Sequence, residues 1–386
     1  MNRTQNVILP LVAVFGLLAG GLYSQFSHNK DKEHLPPGLV PYTIPEGGIV
    51  TDVFSLKLFQ QVLQEQKENV LAAPRALSEL LYAFTPLAGG HTREELNSLK
   101  LYDKPESYQS AAVHDYLIAV DINVPRKDEA GRVVSIPFSE NTPLALSIFN
   151  GALAQSSPSS NAQFATSTMV TPRTRLLAGA VAYGKCTWEI PFLKADTRMA
   201  EFDSRSGAMP NHPQMRSRGA YRMAKAEDGA WKAVLLPIKD TNQALIGILP
   251  AGDAREFAAA LTPEQLSNIR QALVTAQPED TLVEFPRLEL EVRPYDMRYT
   301  LRKLGLNSAF DTERADFSGI SDHHLHLGAL IHASGIWIVE SQAKAQPTSE
   351  LELARNTISF SRPFIWFIAG LTADTPFEFI GLVEEM

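Results

Sequence analysis

The chain has 386 residues, 45% hydrophobic and 20% charged, enough apolar material for one large domain or two medium ones. A net charge of −8 with no basic block excludes a protein that binds nucleic acid by neutralising phosphates. A single cysteine, Cys186, excludes an intrachain disulfide, so stability rests on packing.

The first 26 residues, "MNRTQNVILPLVAVFGLLAGGLYSQF", place Arg3 ahead of an uncharged apolar run from Val7 to Tyr23. That run is slightly short for a bilayer span and slightly long for a secretory core, so 1–26 reads as a retained signal anchor or a cleaved signal peptide. Arg3 favours the N-terminus inside, while Lys30 and Lys32 on the far flank pull the other way. The first orientation puts the bulk of the chain outside the cytoplasm, with the membrane as a partner through this segment. Residues 27–50 are charged and then Pro/Gly-rich, the composition of a semi-extended tether.

From 51 to 386 no second linker and no repeat interrupts the chain. "DVFSLKLFQQVLQEQ" carries a helical apolar stripe, and "RALSELLYAFTPLAGG" reads as a buried helix closed by a glycine pair. Thr92 and Glu95 have the spacing of a capping box. Residues 155–174, rich in Ser and Thr and without periodicity, are expected to form a loose surface connection. Beyond about 175 come strands, "LLAGAVAYG", "AWKAVLLPI", "QALIGILPA" and "TLVEFPRLELEV", interrupted by a helix "LTPEQLSNIRQAL" with Pro263 in its first turn. Helices first and strands later, without βα alternation, predict an α+β domain in which N-terminal helices pack on large, mostly antiparallel β-sheets.

Chemistry-bearing clusters are few. His324 and His326 would share one face of a strand near Asp322, a spacing zinc can use, but a non-metal role is the expected one. Cys186 has no identified activating partner and reads as packed. Glu384 and Glu385 read as solvated charge. There is no Gly-x-Ser-x-Gly elbow and no glycine-rich phosphate loop, so neither a hydrolase nor a cofactor is indicated. The remaining anomaly is the long polar tract 340–363, flanked by "GIWIV" and "PFIWFIAG"; loops of that length are functional more often than not.

Several segments in one order resemble the serpin family over roughly Asp52 to Met386: the N-terminal helices with Glu68, Asn69 and Pro74, "YGKCTWEIPF", "VLLPI" with "LIGILPAG", "FPRLELEVRPYDMRYTLRKLGLNSAFDTERADFSGIS", and the terminal "RPFIWFIAG" with "PFEFIGLVEEM". The resemblance implies an inhibitor of serine or cysteine proteases, not an enzyme, acting as a monomer. An exposed reactive loop at about 341–361 would be cut and would then insert as a new strand into the main sheet. It places the hinge at Glu340, Gln342, Ala343, Lys344, Ala345 and Pro347, and the sheet-opening region at Trp188, Ser78 and His332. Ala73, Ala76 and Ala180 stand where the family usually has Ser, Ser and Asn. The segment from Leu99 to Trp188 is short for the family, and the helix that lies across the main sheet is expected to be missing or reduced. One cysteine, and no glycosylation sequon beyond residue 4, lean towards a bacterial cell envelope.

The loop supports a latent strand on its own residues. Ala343, Ala345, Pro347, Ser349, Leu351 and Leu353 alternate with Lys344, Gln346, Thr348, Glu350, Glu352 and Ala354, a period of two that a tether does not need. Pro347 opposes it, lacking the N–H a central strand donates. The loop is about four residues short for the family: counting from the hinge puts the scissile residue at Asn356, and counting back from Pro363 puts it near Glu352. The protease-contact window is therefore Leu351, Glu352, Leu353, Ala354, Arg355, Asn356 and Thr357. Arg355 suits a trypsin-like pocket and is favoured; Leu353 and Ala354 suit chymotrypsin-like or elastase-like ones. The alternative is the same fold used without inhibition, as a binding or chaperone-like protein at the membrane.

Overall fold

The computed structural model describes residues 53–101, 110–127, 133–159, 161–342, 348, 350–371 and 377–386; the segments expected at 1–26 and 27–50 lie outside them. Helix α1 (Val53–Glu65) forms because Phe54, Leu58, Phe59 and Val62 recur at helical spacing and bury together. Strand β1 (Val70–Ala72) leads into α2 (Pro74–Phe84), which opens on a proline where no N–H partner is needed.

Helix α3 (Gly90–Ser98) does not carry the expected capping box; its N-cap is Gly89, without a side-chain cap. Thr92 instead lies 3.1 Å from the Ser308 hydroxyl and accepts from the Asp316 N–H at 3.0 Å. Glu95 accepts from the backbone N–H groups of Asn307 and Ser308. Tertiary partners capture the side chains that local capping would have used.

Strands β2 (Ala112–Asp121) and β3 (Val133–Ile136) precede α4 (Thr142–Ala154), capped by Asn141, and then β4 (Leu176–Lys185). Helix α4 packs across β2, β3 and β4, so the helix expected to be missing is present. Its sequence hides it. "TPLALSIFNGALA" holds no charge, and its solvent side carries Leu144 (48% exposed) and Ile148 (40%), which blurs the stripe. A Cβ at Gly179 of β4 would lie 2.7 Å from Leu153 and 2.9 Å from Phe149, so the missing side chain seats the helix on the sheet. The stretch after α4 is irregular but not loose. Phe164, Ala165 and Val170 are buried, and the Asn150 carboxamide accepts from the Phe164 and Ala165 N–H groups.

Next come β5 (Arg198–Ser204), β6 (Gly207–Lys225), β7 (Trp231–Pro237), β8 (Gln243–Pro250), α5 (Ala254–Ala260), α6 (Pro263–Thr275), β9 (Pro278–Pro286), β10 (Leu288–Asp296), α7 (Arg298–Lys303), β11 (Ala329–Ile338), β12 (Asn356–Ser359), β13 (Phe364–Gly370) and β14 (Phe377–Val383). The expected Pro263 sits in the first turn of α6, behind a full capping box of Thr262 and Gln265.

The strands form two sheets. One runs β1-β14-β13-β8-β7-β6-β9-β12, with β5 paired to β6; the other has five strands in the order β10-β11-β4-β2-β3. Pairing is antiparallel except for β11 with β4, β2 with β3, and β12 with β9. The run "TLVEFPRLELEV" is split at Arg287, its halves entering different sheets as β9 and β10. The main core lies between the sheets and under α1, α2 and α6; a second fills the space between α4 and the outer face of the five-stranded sheet. Among the described residues, no helix is long and apolar enough to cross a membrane.

Of the terminal acids, expected to be solvated, Glu384 is buried and Glu385 is only half-buried. Glu384 is 2% exposed, accepts from Arg255 at 2.9 Å and pairs with Arg205 at 3.3 Å, while Glu385 accepts from the Ser206 N–H at 3.0 Å. Arg255 also donates to the carbonyls of Leu63, Gln66 and Glu68, which fastens the end of α1 to the C-terminus.

Candidate functional site

The tract that follows β11 begins under an aromatic lid. Trp188 is buried, donates to the Val339 carbonyl at 2.8 Å and meets Phe192 edge-on at 5.2 Å. Glu340 accepts from the Thr197 hydroxyl at 2.9 Å and faces Arg287 at 3.9 Å. The Ser341 N–H donates to Phe192 at 2.8 Å, and Gln342 is exposed. The remaining hinge residues, Ala343, Lys344, Ala345 and Pro347, lie outside the described residues.

Beyond them the loop rests on a lattice of charges. Asp196, nearly buried, accepts from the Thr348 N–H at 2.8 Å and from its hydroxyl at 2.7 Å. Arg218 grips Asp280 through two bonds of 2.7 and 2.8 Å and donates to the Glu350 carbonyl at 2.7 Å. Its guanidinium, assisted by the Arg355 backbone N–H, holds the Asp280 carboxyl below the usual range. Arg216 bridges Glu284 and Glu352. No local pattern marks these anchors, because their loop partners lie more than a hundred positions away in the chain.

Between the anchors, Leu351–Leu353 form a 3-10 turn rather than a strand, with Leu351 buried and Leu353 67% exposed. Ala354 is half-buried, and Arg355 and Thr357 are exposed. Asn356 opens β12, registers with Thr281 and donates to Glu279 at 2.6 Å. Among its described residues the loop offers one large solvent-facing apolar side chain, Leu353, ahead of a bond, Arg355–Asn356, at the mouth of a ladder.

Beneath the hinge lies the parallel contact of β4 and β11. Every registered pair from Ala329–Leu177 to Ile336–Gly184 contains an Ala or a Gly, so little side-chain area crosses the contact. His332, buried, lies 3.0 Å through Nδ1 from the Ala180 carbonyl; burial pushes its pKa down to about 4 against the effect of that bond, so the ring is neutral near pH 7. Among the described residues, Nε2 of His332 and the Ser334 hydroxyl have no hydrogen-bond partner. Buried groups left in that state cost about 1–3 kcal/mol each. Ser78 is fully buried on α2, which packs against β2 and β4.

No group of His, Cys, Asp and Glu among the described residues could hold a metal. His324 and His326 precede β11 in irregular chain, where strand alternation does not apply, and His324 Nε2 lies 2.7 Å from the Thr312 carbonyl. Cys186 is buried and burial pushes its thiol pKa up, so it is packed rather than reactive.

A long connection joins β11 of one sheet to β12 of the other, beside a parallel pair of strands. The serpin (serine protease inhibitor) family model matches residues 129–385, and the chain belongs to the serpin family. It is 27% identical over 207 residues to Serpin B6 of Pongo abelii, covering 52% of this chain and 54% of that protein. It is 27% identical over 210 residues to an uncharacterized serpin-like protein of Thermococcus kodakarensis, covering 52% of this chain and 47% of that one. The chain thus spans about half the length of these curated relatives; with plasminogen activator inhibitor 1 of Bos taurus, 23% identity extends over 87% of this chain and 92% of that one. Among solved structures, maspin superposes with a TM-score of 0.75 at 19% identity, covering 86% and 97% of the two chains, and uncleaved ovalbumin with 0.74 at 18%, covering 86% and 98%. These likenesses show the fold.

Proposed function

We propose that this chain inhibits serine-type proteases by offering 351–357 as substrate and inserting the severed tract between β4 and β11. The observation that carries the reading is the parallel pair itself. A chain that leaves β11 and folds back runs antiparallel to β11, and therefore antiparallel to β4 as well. Both ladders can then form at once. The intact loop would first have to detach β12, which holds its far end on β9.

Reach is sufficient. Cut after Leu353, the tract from Ser341 supplies roughly 40 Å of strand at ~3.3 Å per residue, more than the ten-residue β4 requires. The acyl bond forms on the carbonyl of the residue before the cut, so the protease travels with the inserting piece. The exposure of Leu353 favours Leu353–Ala354 as the bond attacked, since Arg355–Asn356 requires the mouth of the β12 ladder to melt first.

Incubating the protein with trypsin-like, chymotrypsin-like and elastase-like enzymes tests this. A detergent-stable adduct with the chymotrypsin-like enzyme, and a product ending at Leu353, are expected; clean cleavage without adduct rejects inhibition. Pinning of the loop by Asp196, Arg216 and Arg218 favours a second reading, in which the same fold binds a partner without being cut.

The N-terminal apolar run would tether the protein to a membrane with the folded part outside the cytoplasm. Deleting 1–26 should release it from membrane to soluble fractions, and no change of fraction rejects the tether.

A further inference from the structure

Strand β14 is buried along its length, yet a carboxylate, Glu378, sits within it at 1% exposure. Isolated burial of that charge would be prohibitive, so its partners matter. Arg75 of α2 donates to Glu378 at 3.0 Å and to Glu79, one turn on, at 2.9 Å. His114 of β2 completes the group, with Nε2 3.1 Å from Glu79 and Nδ1 3.3 Å from Glu378. Gln243 of β8 donates to Glu378 at 3.1 Å and accepts from the Ala111 N–H at 2.6 Å. Ser110, just ahead of β2, also bonds Glu378. Two cations thus face two carboxylates, and the cluster spans three bodies: α2, β2 of the five-stranded sheet, and β14 with β8 of the other sheet.

Widening the β4–β11 contact by one strand separates those strands by a further ~4.8 Å. The β10–β11 side is held, because β10 follows β9 of the other sheet with Arg287 alone between them. The β4–β2–β3 side must then shift relative to α2 and β14. His114, registered opposite Ala182 of β4, moves with it. A displacement of that size breaks ion pairs of 3.1 and 3.3 Å.

We propose that His114, held by Glu79 and Glu378, is an ionic latch that ties the mobile side of the five-stranded sheet to α2 and β14 and opposes strand insertion. This rests on the insertion reading above. Burial opposes charge on His114, but the carboxylates of Glu378 and Glu79 outweigh it and raise its pKa to about 9, so the latch is charged near pH 7. Arg75 is the like charge that works against it. A raised folded-state pKa adds stability to the closed form that is complete below the ordinary histidine value and is lost as pH rises through about 9. Loss of buried ion pairs of this kind corresponds to a tenfold or larger change in an opening rate.

The test is uptake of a synthetic peptide, AKAQPTSELEL, the loop sequence 343–353, by the intact protein, followed by native electrophoresis and mass. Uptake by the wild type should accelerate about tenfold from pH 7 to 9.5. His114→Gln should be fast at pH 7 and lose that step. Glu384→Gln, a destabilising change remote from the latch, should remain slow at pH 7. Equal rates in wild type and His114→Gln, or a flat pH profile in the wild type, overturn the latch and leave insertion standing. Equal acceleration by Glu384→Gln also overturns it, as general loosening. No uptake by any protein at any pH overturns insertion, and the latch with it.

Discussion

Cleavage within 351–357 is expected to raise the melting temperature by roughly 20 °C. The closed sheet keeps β4 and β11 in direct parallel contact, with an Ala or Gly in nearly every registered pair and two buried polar atoms, His332 Nε2 and the Ser334 hydroxyl, without partners among the described residues. An inserted strand exchanges one parallel ladder for two antiparallel ones. The gain is on the order of ten hydrogen bonds at about 1 kcal/mol each, less one at Pro347, which has no N–H to donate. The small-residue face of the tract, Ala343 to Leu353, then meets one side of the sheet. Differential scanning calorimetry of intact and cleaved protein decides the matter. An unchanged melting temperature would mean that the cut ends simply hang free.

Glu384→Ala should lower unfolding free energy by about 3 kcal/mol, a large fraction of the whole for a marginally stable domain. The substitution leaves Arg255 mostly buried opposite an empty site, still donating to Leu63, Gln66 and Glu68 but with its charge unmatched. Arg205, half in water, loses less. Urea titration should show a lower midpoint with unchanged slope, because the same surface is exposed on unfolding. A midpoint equal to the wild type would mean that the ion pair adds nothing beyond solvation.

The two effects differ in what they touch. The first concerns the state after the loop is cut, and the second the standing fold, where the C-terminus staples α1 through Arg255. A variant weakened at Glu384 is therefore a fair control for one altered at His114, which lies between the sheets at α2.

Much of the architecture is written locally. The stripe of α1, the proline and capping box of α6, and the apolar runs of β4, β7, β8, β13 and β14 need only near neighbours to be read, since helical and strand periodicity are properties of short windows. The same local reading picked out the alternation over 343–354 and the ordered segments that carry the family resemblance, and that resemblance in turn pointed to Trp188 and His332. It passed over β6, whose "GAMPNHPQMRSR" start holds polar residues and two prolines; pairing with β5 and β9 makes it a strand. It lost α4, because a helix with an apolar solvent side shows no stripe.

What only the tertiary structure decided are the meetings between distant residues. Thr92 and Glu95 could cap a helix or clamp the 307–316 segment, and Ser308 tipped the balance. Glu384 and Glu385 look solvated until Arg255 and Ser206 arrive from elsewhere in the chain. The anchors Asp196, Arg216 and Arg218, and the group around Glu378, are invisible to any window, because a charge's energy depends on what surrounds it in space. Sequence by itself set most of the elements, since their physics is short-ranged, and it carried the alternation on which the insertion proposal rests. Three-dimensional packing set which charges are buried, which of the described loop residues face water, and that β4 and β11 meet as a parallel pair, because each depends on neighbours distant in the chain.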